Sequence, residues 1–98
     1  MKASEVDRAY LIDYLRLDDP EEPVKREIDA SLAAGMAFVR SYTGLDDAEI
    51  DRREDITAAL LVLVADMFEN KNYYTDYKSR EANRTVEAIL GMHSVNLL

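Results

Sequence analysis

The sequence of 98 residues contains no cysteine and no tryptophan, and it has only one histidine, two prolines and three glycines. Without cysteine, the chain has no disulfide, no thiolate zinc site and no cysteine nucleophile. The longest apolar run, residues 58–65, has eight residues, whereas a helix needs about 18 or more to cross a bilayer. The N-terminal residues also lack the apolar stretch of a signal peptide. We therefore expect a soluble protein with no membrane contact.

Basic residues are scarce as well. Twelve Lys and Arg oppose 20 Asp and Glu, which gives a net charge of −8. Residues 1–55 hold 15 of the acids and 8 of the bases, so they carry −7 of this charge. Proteins that grip nucleic acid neutralise its phosphates with Lys and Arg, so sequence-specific binding of nucleic acid is disfavoured. A helix–turn–helix around Gly44 is disfavoured for the same reason, because an acidic segment follows the turn.

Apolar residues recur with the period of an α-helix, and no stretch shows the alternation of a half-buried strand. The composition, 48% hydrophobic and 33% charged, suits one globular domain over residues 1–98. The pattern predicts an all-α, small four-helix bundle-like domain with two longer central helices. The predicted helices cover about residues 5–17, 23–43, 54–71 and 83–91, with a short acidic turn at 45–53.

Capping residues and apolar stripes define these helices further. We expect Ser4 to cap the first helix and Gly44 to end the second in a left-handed conformation. The inward stripe of the second helix is predicted to be Val24, Ile28, Leu32, Gly35, Val39 and Tyr42. Alanines at positions 30, 33, 34 and 37 either reflect helix propensity or form a flat face for another helix.

The third predicted helix is apolar on all sides in its middle, so every side must be covered. There are two interpretations. Either the three other helices of the chain cover this helix, or a second subunit does so, which would cover it more readily. Its predicted core stripe is Ile56, Leu60, Leu63, Val64 and Met67. Leu61, Val62 and Phe68, outside this stripe, are candidate subunit contacts.

The sequence offers little for catalysis. His93, near the end of the last helix, is expected to pack partly or to stabilise the helix C-terminus. The paired carboxylates lie in loops and helix starts, where capping explains them, and they lack the spacing of a calcium loop. We expect no catalytic residue, no cofactor and no metal. The alternative, a small carboxylate enzyme, requires a cleft that holds a carboxyl with a raised pKa.

Residues 71–84 combine tyrosines with basic side chains and give a local charge of +2. Tyr73, Tyr74 and Tyr77 either cap a local core or form a protein interface, and nucleic-acid stacking is a weaker alternative.

Four segments occur in an order that resembles a known family. They are YLRLDD (residues 14–19), SYTG (41–44), ALLVLVADMFENK (59–71) and VEAILGMHS (86–94). Their order and spacing resemble the small head–tail connector (adaptor) proteins of long-tailed phages and prophages, often labelled phage DNA-packaging proteins. The likeness covers nearly the whole chain. Phe68 stands where the family often has tyrosine, and His93-Ser94 stands where Tyr-Arg is common.

The resemblance implies a structural protein, not an enzyme, at the head–tail junction of the virion, made in the cytoplasm of the bacterial host. Its partners would be copies of itself in a ring, the portal protein and a tail-side connector protein, with DNA passing through the centre. Adaptors of this family use C-terminal segments against the portal, so the resemblance implies portal contacts at Val95, Leu97 and Leu98 in the uncharged tail. Asp46, Asp47, Glu49 and Asp51 are candidates to face the channel, where carboxylates let a polyanion slide. A non-viral interaction module, such as a dimeric regulator, is the alternative function.

Overall fold

The computed structural model describes residues 1–69, 84 and 86–93 of the chain. These residues are mostly helical, and they include no strand. The elements are a 3-10 helix (Ala3–Glu5), α1 (Arg8–Tyr14), α2 (Glu22–Thr43), α3 (Asp47–Asp51) and α4 (Glu54–Glu69). Residues 84 and 86–91 are helical as well. The prediction of an all-α, bundle-like domain with two longer central helices, here α2 and α4, is confirmed.

The first predicted helix differs from the structure at both ends. Ser4 does not cap it but lies in the 3-10 helix, and the cap is Asp7, whose carboxylate accepts the Tyr10 backbone N–H at 2.8 Å. A free carboxylate one residue before a helix satisfies backbone donors that would otherwise lack partners. The 3-10 helix instead packs Ala3 and Val6 into the core.

The end of α1 comes before the predicted Leu17, because the chain turns at Arg16. Arg16 has a left-handed φ of 58°. Its N–H bonds to the Asp13 carbonyl, and the Leu17 N–H bonds to the Ile12 carbonyl, each at 3.0 Å. This pair of bonds is a Schellman motif, a helix ending in which glycine usually takes the left-handed position.

The second predicted helix agrees with α2. Pro23 stands in its first turn, where the missing N–H costs nothing, and Gly44 ends it with a φ of 71°. The buried Thr43 hydroxyl donates to the Val39 carbonyl at 2.8 Å and accepts the Leu45 N–H at 3.2 Å. These bonds satisfy the last turn and direct the chain into α3.

The core lies mainly between α2 and α4, which pack against each other more extensively than any other two elements. Gly35 makes this approach possible, because a Cβ there would lie 2.8 Å from Val64 Cγ2 and 3.2 Å from Leu60 Cδ1. Leu11 of α1 and Ile50 of α3 complete the core from either side. The four alanines on the back of α2 are exposed, so no helix among the described residues covers them.

The C-terminal helical residues dock onto this core. Val86 and Leu90 are fully buried, and Ile89 packs against the core from a half-buried position.

Candidate interaction surface

The four acidic residues predicted to face a channel lie together on α3 and its cap, and each of them has a bond within the chain. Asp46 is the N-cap, and its carboxylate accepts the Glu49 N–H at 2.8 Å. Glu49 in turn accepts the Asp46 N–H at 3.2 Å, which completes a capping box. The segment 45–53 therefore contains a short capped helix, and Asp46 and Glu49 stabilise its first turn.

Asp47 and Asp51 tie α3 to other elements. Arg40 of α2 donates to both carboxylate oxygens of Asp47, at 2.7 and 3.2 Å. Ser4 donates to Asp51 through its N–H at 3.0 Å and its hydroxyl at 2.6 Å. The hydrogen bonds from Arg40 and Ser4 lower the pKa of Asp47 and of Asp51, respectively. Both carboxylates consequently remain ionised at neutral pH.

An apolar groove of about 200 Å³ lies between these pairs, where the 3-10 helix, α2 and α3 meet. Ala3 and Val6 are buried beneath it, and Leu32 and Met36 of α2 are half-buried along it. Arg40, Asp47, Ser4 and Asp51 complete the lining. The sequence pattern does not predict this groove, although the spacing of Leu32, Met36 and Arg40 places them on one face of α2.

The predicted subunit contacts on α4 divide into two groups. Leu61 is 9% exposed and belongs to the chain's own core. Val62 and Phe68 are half-buried and keep accessible surface. The sequence leaves open whether the chain itself or a second subunit covers this helix. The chain itself covers most of the circumference of α4, because eight residues of the helix are buried. They are Ile56, Thr57, Ala59, Leu60, Leu61, Leu63, Val64 and Asp66. The apolar circumference of α4 is therefore not by itself a reason for a second subunit.

The remaining predicted contacts, Tyr73, Tyr74, Tyr77, Val95, Leu97 and Leu98, lie outside the described residues. The structure shows exposed apolar side chains elsewhere. Tyr10 and Tyr14 of α1 are 37% and 41% exposed, and their rings stack with centroids 6.3 Å apart. Met92 is 74% exposed. The spacing of the two tyrosines places them on one helix face, but periodicity alone does not distinguish an exposed face from a buried one.

His93 joins the C-terminal residues to the beginning of α4. Its Nε2 lies 2.6 Å from Asp55 Oδ2, and the two side chains are 19% and 45% exposed. The hydrogen bond from His93 lowers the pKa of Asp55. The prediction of a partly packed His93 is thus confirmed, but its partner is a carboxylate of α4 and not the end of its own helix.

In the part of the chain that the structure describes, the carboxyl groups with a shifted pKa are Asp29, Asp47, Asp51 and Asp55, and in each the pKa is lowered by a hydrogen-bond donor. A lowered pKa makes a carboxyl a poor general acid at neutral pH. Among the described residues, no group of three or more His, Cys, Asp or Glu is arranged to hold a metal ion. In the same part of the chain, no helix is long and apolar enough to cross a membrane.

Comparisons with protein-family models, with curated proteins and with solved structures find no match to this chain.

Proposed function

We propose that this chain is a structural subunit of a phage or prophage head–tail connector, in which copies form a ring between portal and tail and DNA passes through the centre. In this function the chain performs no catalysis and binds no particular DNA sequence.

The observation that carries the proposal is the ordered set of four segments that resembles the connector family. The first segment, YLRLDD, covers the end of α1 and the left-handed turn at Arg16. The second, SYTG, covers the end of α2 with the left-handed Gly44. The third begins inside α4, and the fourth includes the buried Val86 and Leu90. The segments that carry the resemblance are thus the ones that end helices or form the core.

Two features of the surface support the proposal physically. Val62, Ala65 and Phe68 follow one another at helical spacing on α4, and all three are half-buried. Such a strip loses further apolar surface to water when a neighbouring subunit covers it. Hydrogen bonds stabilise the ionised forms of Asp47 and Asp51, and a channel wall of this charge repels DNA and does not hold it.

Electron microscopy of the protein, alone and mixed with the portal protein of the same phage or prophage, tests the proposal. We expect rings seated on the portal, with light scattering showing assembly at high concentration or on addition of the portal. A protein that stays monomeric in both conditions, and leaves the portal unoccupied, contradicts the proposal. A closed dimer would instead favour the dimeric regulator.

A matched pair of variants tests the α4 strip. Val62→Asp introduces a charge on the half-buried strip, whereas Ala58→Asp introduces the same charge at an exposed position of the same helix. We expect Val62→Asp to abolish ring formation while circular dichroism retains the helical signal, and Ala58→Asp to assemble normally. If Val62→Asp unfolds, Phe68→Gln replaces it as the milder change at the strip. Equal assembly of the folded strip variant and the control would exclude this strip as the contact.

A further inference from the structure

The apolar groove between the 3-10 helix, α2 and α3 is too small for a typical small-molecule site. Its volume is about 200 Å³, whereas ligand pockets commonly enclose about 300–1,000 Å³. A volume of this size accommodates one large apolar side chain. The half-buried Leu32 and Met36 offer apolar surface to such a side chain, and the buried Val6 closes the groove below.

The polar side chains around the groove are already engaged with one another. Arg40 holds Asp47 through two bonds, and Ser4 holds Asp51 through two more. These bonds lie at exposed positions, so each contributes little to stability. The surface that an occupant would remove from water is the apolar lining between the two pairs, and this lining favours an apolar side chain.

Charge distinguishes between the proteins that could supply this occupant. The charged side chains that line the groove are Arg40, Asp47 and Asp51, which together carry −1. The surrounding part of the chain, residues 1–55, carries −7 in all. A second copy brings the same acidic charge to the contact and is repelled, whereas a basic segment is attracted.

We infer that this groove is a docking site for a leucine, methionine or phenylalanine side chain of another protein, carried on a segment in which Lys or Arg flanks the anchor. The inference goes beyond the connector proposal and does not depend on ring formation. In this contact the anchor side chain buries apolar surface against Leu32 and Met36, and the flanking cations face the carboxylates of α3. The apolar contact gives most of the affinity, and the charges select the partner.

Nuclear magnetic resonance titration of the full chain with three synthetic peptides tests the inference. The first peptide, Ac-KRAALAKR-NH2, carries the anchor and the basic flanks. The second replaces its leucine with alanine, and the third replaces every Lys and Arg with glutamate. We expect the first to shift the amide signals of groove residues at sub-millimolar to millimolar concentration. Loss of the leucine should weaken binding by ~5-fold or more, from the apolar area it buries. The glutamate peptide should not bind.

Two variants of the protein locate the binding site. Met36→Glu places a charge in the groove, and Ala34→Glu places the same charge on the exposed face of the same helix. We expect Met36→Glu to weaken binding of the first peptide by ~10-fold and Ala34→Glu to leave it within about a factor of two. Circular dichroism verifies that both variants are folded. If Met36→Glu is not folded, Leu32→Gln tests the same surface.

Three results would overturn the inference. Equal binding of the leucine and alanine peptides would mean that only charge attracts the peptide. The first peptide can also be made with methionine or phenylalanine in place of its leucine. The absence of amide shifts with all three of these peptides, up to several millimolar, would mean that the groove binds no such anchor. Self-association of the protein alone, lost in Met36→Glu and retained in Ala34→Glu, would assign the groove to a second copy. A failure to form rings with the portal would leave the inference untouched, because the titration does not require them.

Discussion

Gly35 determines how closely α2 and α4 approach, because a side chain at this position has no space. The nearest atom to an added Cβ, Val64 Cγ2, would lie only 2.8 Å away. Val64 is β-branched and has one strongly preferred rotamer in a helix, so it does not move aside as a flexible chain end would. The two helices would have to separate along their main contact.

We therefore expect Gly35→Ala to destabilise the protein, although alanine is the better helix former. The propensity gain is about 1 kcal/mol, and overpacking in a core costs about 1–3 kcal/mol, so the net loss in unfolding free energy is expected to be up to about 2 kcal/mol. Gly91→Ala is the control, because its Cβ would meet only the Tyr42 hydroxyl, at 3.9 Å. Urea unfolding of both variants measures the difference. Equal stability of the two would contradict the close contact.

Arg16 occupies a position that suits glycine better than any side chain. Its φ of 58° ends α1 in the Schellman motif. A non-glycine residue in this conformation costs about 1–3 kcal/mol, and the extra flexibility of glycine in the unfolded chain offsets about 0.5–1 kcal/mol of that. Arg16→Gly is expected to raise the unfolding free energy by up to about 2.5 kcal/mol. Asp18→Gly is the control, because Asp18 does not have a positive φ. This variant should not raise the unfolding free energy in the same urea experiment.

The paired carboxylates predict how stability responds to acid. Hydrogen bonds from Arg8, Arg40, Ser4 and His93 lower the pKa of Asp29, Asp47, Asp51 and Asp55 below their ordinary value of 3.8. The folded state then binds fewer protons than the unfolded state as the pH falls. The stability that these pairs contribute is complete above about pH 4 and is lost as the pH falls through the lowered values.

Thermal unfolding between pH 5 and pH 2 checks this expectation, and Ser4→Ala identifies one contributor. This variant removes the hydroxyl that bonds Asp51 at 2.6 Å. Its melting temperature should therefore fall less steeply between pH 4 and pH 2 than that of the parent chain. Ser41→Ala, at an exposed position of α2, serves as the control. Parallel pH profiles for Ser4→Ala and the parent would show that the Ser4–Asp51 pair does not contribute.

At the level of elements, the sequence predicts α2 and α4 well because strong local signals delimit them. Pro23 and Gly44 bracket α2, and the long 3.6-residue periodicity identifies the inward face of both helices. The beginning of α1 is less predictable, since Ser4 and Asp7 are both good caps by residue type. Tertiary contact decides between them, because the Ser4 hydroxyl is bound to Asp51.

A local sequence pattern does not predict the apolar groove either, because the groove also depends on tertiary contacts. Its lining comes from residues 3–6, 32–40 and 47–51, which meet only when α2, α3 and the 3-10 helix pack together. Periodicity gives the face of one helix, but it does not give which face of another element lies opposite. The acids of α3 are visible in the sequence, whereas their bonds to Arg40 and Ser4 are not.

The C-terminal helical residues depend on the contact between His93 and Asp55 for part of their attachment. The buried Val86 and Leu90 and the half-buried Ile89 also pack against the core. We expect His93→Ala to lower the unfolding free energy by only about 0.2–1 kcal/mol, the usual range for an exposed pair. Its effect on the exchange of amide hydrogens should be concentrated in residues 86–91, because the lost contact attaches this segment to α4 and local opening depends on local contacts.

Hydrogen exchange of His93→Ala, Asp55→Asn and the double variant measures this attachment. Faster exchange in residues 86–91 is expected in both single variants, with no further increase in the double variant. Glu87→Ala, at an exposed position of the same segment, is the control. A uniform increase over α2 and α4 would mean that the pair stabilises the whole fold and not this attachment.

For the whole molecule, the net charge of −8 opposes any assembly of copies. The half-buried Val62 and Phe68 favour association through apolar contact, while like charges repel at a distance. The Debye length, beyond which charges in solution are largely screened, is about 10 Å at 0.1 M salt and about 3 Å at 1 M salt. Salt therefore weakens the repulsion between copies and leaves the apolar contact in place.

We expect self-association, measured by sedimentation velocity, to strengthen as NaCl rises from 0.1 to 1 M, and the binding of a basic peptide at the groove to weaken over the same range.

High salt also strengthens apolar contacts in general, so a variant must separate the two causes. Asp18→Asn, Asp19→Asn and Glu21→Gln together remove three negative charges at exposed positions. If charge repulsion limits assembly, this triple variant associates at lower salt than the parent chain does. If both chains associate at the same salt concentration, repulsion is not the limiting factor. If neither associates at any salt concentration, ring formation requires the portal as a template.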